Sequence, residues 1–202
     1  APQGELPENW DLEGLENFLH SRFHMDFDAG EGEKQETLKH TLLRQIHEEY
    51  QRRHKMMAEE VREAFREQVS LAGAGAPLLI GGKSMGGRVA SLLVDELADA
   101  GAVIGCACLG YPFHPPGKPE QLRTEHLAGL RTPTLILQGE RDTFGPRSEV
   151  ETYTLSPQIQ LEWLPAGDHS FKPTVKSGLS EADNRDAACQ AVDRFGRGLL
   201  GG

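Results

Sequence analysis

A chain of 202 residues with 38% apolar and 26% charged side chains is long enough to bury one ordinary core without covalent staples. Its formal charge of −10 disfavours nucleic acid and anionic membrane as partners, since both are bound through basic patches. Three cysteines, an odd number, argue for a reducing, cytoplasmic setting; no apolar run approaches the length of a membrane span, and the start APQGELPENW lacks the regions of a signal peptide.

The composition is uneven. Of 23 glycines four lie before residue 73 and nineteen from residue 73 onward, as do ten of twelve prolines. The spacing of Leu12, Leu15, Phe18, Leu19 and Phe23 predicts a helix over Trp10–Phe27, with Asp11 as its cap. After a charged turn at 28–35, a longer helix is expected over Glu36–Ala72, with Leu43, Ile46, Tyr50, Met57, Val61, Ala64 and Phe65 on one stripe. Gly73, Gly75 and Pro77 end it.

Beyond Pro77 short apolar runs alternate with helical ones. Leu78–Ile80, Val103–Leu109, Thr134–Leu137 and Ile159–Leu164 read as strands. Arg88–Ala98, Glu125–Leu130 and Glu181–Phe195 read as helices. That alternation predicts an α/β protein with a parallel sheet of about four strands and flanking helices, preceded by a helical segment. Chemistry in such sheets sits beyond the carboxyl ends of the strands.

The motif with most chemical content is Gly82-Lys83-Ser84-Met85-Gly86, a G-x-S-x-G between a strand and a helix. A serine on that turn is lifted above the sheet, with Gly82 and Gly86 leaving room for the backbone. The helix start then offers the Met85 N–H to a developing oxyanion. A phosphate loop is the competing reading of Gly82-Lys83-Ser84, but it needs a glycine where Pro77 stands.

A nucleophilic serine requires a base and a carboxylate that orients the base. Asp142 follows the third apolar run and His169 the fourth, giving the order Ser84, Asp142, His169. Glu140 and Asp168 are the rival carboxylates. No cofactor is expected, and no metal. His40, His47 and His54 stand about 10 Å apart along a helix, and His20 with His24 lacks a third ligand. Cys106 and Cys108 read as small core residues and Cys189 as inert. His114, in the loop with Pro112, Pro115 and Pro116, is read either as lining the mouth of the site or as structural.

The stretches GGKSMGGRVAS (81–91), LGYPFHPPGKP (109–119), RTPTLILQGERDTFG (131–145) and GDHSFKP (167–173) resemble a group of small α/β-hydrolase-like proteins. That group includes a testis-expressed protein and a histone-acetyltransferase complex subunit, and is itself similar to dienelactone hydrolases. The resemblance spans about 76–195. It implies an incomplete α/β-hydrolase fold over 73–202, with Ser84 as nucleophile, Asp142 as acid and His169 as base.

A complete member carries further strands before the nucleophile strand and a loop supplying a second oxyanion donor, for which residues 1–76 offer no counterpart. Losing one donor typically costs on the order of 10²–10³ in rate, and the nucleophile strand is left as an edge. Residues 8–71, through ENWDLEGLENFL, ETLKHTLLRQIHEEYQRR and VREAFREQVSL, resemble more loosely the helical scaffold of SecA-type preprotein translocases. The segment 1–72 is therefore expected to be a helical unit of separate origin, although its last turns stand available to replace the helix that normally precedes the nucleophile strand.

Two functions follow. One is a serine hydrolase acting on an ester, thioester or lactone of a small molecule, impaired if the second donor is missing. The other is a non-catalytic interaction protein built on the hydrolase shell, binding a protein partner or a second copy through the N-terminal helix.

Overall fold

The computed structural model describes residues 59–72 and 77–201. The helix expected over Trp10–Phe27, the first part of the long helix with its four leading stripe residues, the histidines from His20 to His54, and the expected absence of an oxyanion loop lie outside the described residues. The chain divides into two compact units, Ala1–Glu60 and Val61–Gly202.

A helix, α1, is seen over 59–72. It is followed by β1 (Leu79–Lys83), α2 (Met85–Asp99), β2 (Gly105–Leu109), α3 (Glu125–Ala128), β3 (Thr134–Gly139), α4 (Arg147–Val150), β4 (Ile159–Leu164), a 3-10 turn at Val175–Ser177 and α5 (Glu181–Leu200). The four strands pair in parallel in the order β1-β2-β3-β4. Among the described residues β1 is therefore an edge of the sheet. No helix among them is long and apolar enough to cross a membrane.

Alternation along the strands builds two cores. Ile80, Cys106, Cys108 and Ile136 face α2, whose Val89, Ala90, Leu93, Val94 and Leu97 fill the first. Leu135, Leu137 and Leu164 face Ala188 and Ala191 of α5 in the second. Each fully buried Val, Leu or Ile contributes roughly 1.5–3 kcal/mol, so the strands are held by both faces. The cysteines sit in the first core as read, fully buried.

Val61, Phe65 and Val69 of α1 are partly buried against the first core, and Arg66 reaches Glu96 on α2 at 3.1 Å. The stripe steps by four residues, so Ala64, expected on it, is exposed and Val69 takes the next place. These turns thus pack on the first core beside α2.

Helix ends follow their chemistry. Helix α2 closes in a Schellman motif, with Gly101 at φ 69°, its N–H bonded to Ala98 O, and the Ala102 N–H bonded to Leu97 O. Helix α5 opens on a capping box of Ser180 and Asp183. It runs past Phe195, where the sequence predicts an end, through Gly196 and Gly198 to Leu200. Each glycine costs about 1 kcal/mol relative to alanine. Leu199 offsets this by packing onto β2, where a Cβ on Gly105 would lie 2.6 Å from its Cδ1.

Candidate active site

Ser84 ends β1 and caps α2 with φ 52° and ψ −117°, outside the regions open to most residues. Such backbone costs roughly 1–3 kcal/mol and persists only where its surroundings enforce it. Here the Ser84 N–H donates to Leu109 O at 2.9 Å and Ser84 O accepts from Arg88 N–H at 3.0 Å. Gly82 is required: a Cβ there would lie 2.8 Å from the carbonyl carbon of Gly86. Gly86 differs from its expected role, because its own Cβ would meet open space. The crowded partner is Gly87, where a Cβ would fall 2.7 Å from Gly82 O and 3.2 Å from Cys108 Cα. The turn presses its backbone against β2 one residue later than the motif spacing indicates. The Met85 N–H, in the first turn of α2, has no partner within the helix by helical geometry.

The loops after β3 and β4 bring Asp142 and His169 to this turn. His169 Nε2 lies 3.0 Å from Ser84 Oγ, and its Nδ1 lies 2.8 Å from Asp142 Oδ2. A carboxylate accepts, so Nδ1 carries the proton and the Nε2 lone pair faces the serine hydroxyl. Asp142 is fully buried. Its Oδ2 accepts a second bond from Gln138 Nε2 at 2.9 Å, and its Oδ1 accepts from Phe144 N–H at 2.9 Å. The Phe144 ring packs on the imidazole, with centroids 4.3 Å apart.

The rival carboxylates are occupied elsewhere. Glu140 accepts from Ala166 N–H at 2.9 Å and pairs with Arg147 at 3.0 Å. Those bonds, led by the one from Ala166, hold its carboxyl below the usual range against the opposing effect of burial. Asp168 turns back to accept from Ser170 and Lys172 N–H groups. His114 does not line a site mouth: it is buried, with Nδ1 2.8 Å from Pro115 O and Nε2 3.0 Å from Glu149 Oε2.

Three residues around the site escaped the sequence reading. Gln138, fully buried on β3, accepts from Tyr111 N–H at 2.7 Å through its oxygen while its nitrogen serves Asp142. Asn184 on α5 donates to Pro165 O and Phe171 O at 3.1 and 2.8 Å, bracing both ends of the His169 loop. Lys83 donates to the carbonyl of His169. Burial pushes the Lys83 ammonium's pKa down, against Asp142 and Asp168, which favour the charge. The available signal was a polar residue closing an apolar strand (TLILQG) and another on the apolar stripe of α5.

The alpha/beta hydrolase domain family matches residues 27–197. The chain belongs to that family. The match to this α/β-hydrolase domain begins well inside the segment read as SecA-like. Two solved structures are similar. One is the esterase domain of a Rhodothermus marinus protein, at 18% identity and TM-score 0.41, over 54% of this chain and 58% of that one. The other is a CIB-like hydrolase from Thermoplasma acidophilum, at 19% identity and TM-score 0.43, over 66% of this chain and 59% of that one. The chain thus spans less than two thirds of the length of the structures it matches. The fold of this α/β-hydrolase domain is that of hydrolases.

Proposed function

We propose that the protein is a serine hydrolase acting on an ester, thioester or lactone of a small molecule. The observation that carries this reading is the unbroken line from Asp142 through His169 to Ser84 at 2.8 and 3.0 Å. Ser84 Oγ attacks the substrate carbonyl while His169 Nε2 takes the hydroxyl proton. Asp142 keeps the imidazole in the required tautomer and balances the imidazolium that forms. The carbonyl oxygen, now negative, is received by the Met85 N–H at the positive end of α2. Collapse of the tetrahedral intermediate returns the proton from His169 to the departing alkoxide or thiolate and leaves Ser84 acylated. Water, deprotonated by the same histidine, then releases the acid and restores the hydroxyl.

Labelling with a fluorophosphonate probe tests this assignment. The wild-type protein is expected to label at Ser84, and Ser84→Ala and His169→Ala to lose both labelling and saturable hydrolysis of activated esters. Wild-type labelling no greater than that of Ser84→Ala would overturn it and favour a shell without turnover. The odd number of cysteines, three in the chain, supports a reducing, cytoplasmic setting.

A further inference from the structure

We propose that Lys83 is the positioning residue for the general base, its ammonium holding the backbone carbonyl of His169 across the space left open by Gly110. The inference rests on the reading of Ser84, Asp142 and His169 as a triad.

Strand alternation sets the direction of Lys83. Ile80 faces the first core, so position 83 points to the opposite face. That face carries Phe171, and the Lys83 ammonium lies 5.3 Å from the centroid of its ring. Between Lys83 and the histidine loop stands Gly110, at φ 62° just past the end of β2. A Cβ on Gly110 would lie 2.9 Å from Lys83 Nζ, 3.0 Å from His169 O and 3.4 Å from His169 Nδ1. Any larger residue would fill the path that the lysine uses.

The loop that Lys83 reaches needs external support. Ala166 and Phe171, neither of them glycine, have φ of 51° and 69°. Such backbone is retained only when neighbours over-determine it. Asn184 holds Pro165 and Phe171, and Arg141 holds Ala166 O at 2.9 Å. These bonds fix the ends of the loop. The bond from Lys83 falls on the histidine's own carbonyl. It is charge-assisted, a class about twice as strong as neutral hydrogen bonds. It also starts from the residue next to Ser84, so base and nucleophile are tied through the backbone as well as through their side chains. A displacement of 1 Å at such a centre costs about 10²-fold in rate.

The test compares wild type with Lys83→Met, and with Lys83→Cys in a Cys189→Ser background before and after aminoethylation with 2-bromoethylamine. Aminoethylation rebuilds a side chain of lysine's length and charge. Lys83→Met is expected to lower kcat and the labelling rate by about 10–100-fold, with KM within about twofold. The low-field Nδ1 proton signal of His169 should broaden in the variant. Aminoethylated Lys83→Cys should recover most of the rate, and this arm decides the matter even if Lys83→Met fails to fold. Wild-type labelling with unchanged rates in the variants would overturn the role of Lys83 alone. A rise in KM with kcat intact would also overturn it, marking a substrate contact. Absence of labelling in wild type would overturn the triad instead.

Discussion

The loops after β3 and β4 carry the two partners proposed for Ser84, and their key residues are held differently. The Asp142 side chain is held chiefly by its own strand and loop. Its carboxylate is fully buried and receives bonds from Gln138 on its own strand and from Phe144 two residues on. The positive φ of this loop falls on a glycine, Gly145. The His169 loop contains two non-glycine residues of positive φ and leaves its imidazole about a quarter exposed. Beyond its own bonds to Asp168, it is held by Lys83 of β1, Arg141 of the neighbouring loop and Asn184 of α5. The difference matches the tasks of the proposed mechanism, in which the acid keeps one charge in one place and the base faces solvent and substrate and changes protonation in each turnover.

The contrast can be broken most severely at the partners themselves. His169→Ala and Asp142→Asn are each expected to lower kcat on the order of 10⁴-fold, measured with an activated ester against Ser84→Ala as background. Next comes the internal support. Gln138→Leu leaves the Tyr111 N–H and one lone pair of Asp142 unpaired in the interior, so stability should fall by about 3 kcal/mol in urea unfolding. The external support is cheaper to remove in stability. Asn184→Ala should cost about 2 kcal/mol yet lower kcat more than Gln138→Leu does at a temperature where both are folded. The reverse ranking of kcat would end the distinction between the loops.

The smallest effect is a calibration away from both loops. His126 bonds Ser91 Oγ at 2.9 Å, and burial, followed by the charge of Arg88, pushes its pKa down to about 4. As pH falls below about 6.5 the unfolded chain takes up this proton while the folded one refuses it. Stability contributed by the neutral ring is therefore present above about 6.5 and drains away until pH reaches about 4. His126→Gln should flatten the melting temperature across that window and leave both loops unchanged.

Much of this arrangement was legible in the sequence because strands and turns leave strong local signals. The four apolar runs became the four strands, and the order of Ser84, Asp142 and His169 placed each past a strand end. What sequence could not show was contact at a distance. Nothing about GGKSMGG says that Gly87, rather than Gly86, meets β2, because that depends on how closely Cys108 approaches. Asn184 sits among apolar positions of α5, and only the fold shows its amide serving two carbonyls thirteen and nineteen positions earlier. Gln138 reads as the start of a loop, yet it completes β3 and is buried there because Tyr111 offers both a donor and an acceptor. The end of α5 was misplaced for a related reason: local glycine propensity lost to the packing of Leu199.

The bond from Asn184 also has a consequence in time. Strand order follows chain order, so as the chain leaves the ribosome Ser84 emerges first, then Asp142, then His169. The loop carrying the base still lacks its clamp at that moment, because Asn184 belongs to the last helix. In the proposed mechanism the base is therefore fixed only once α5 has docked.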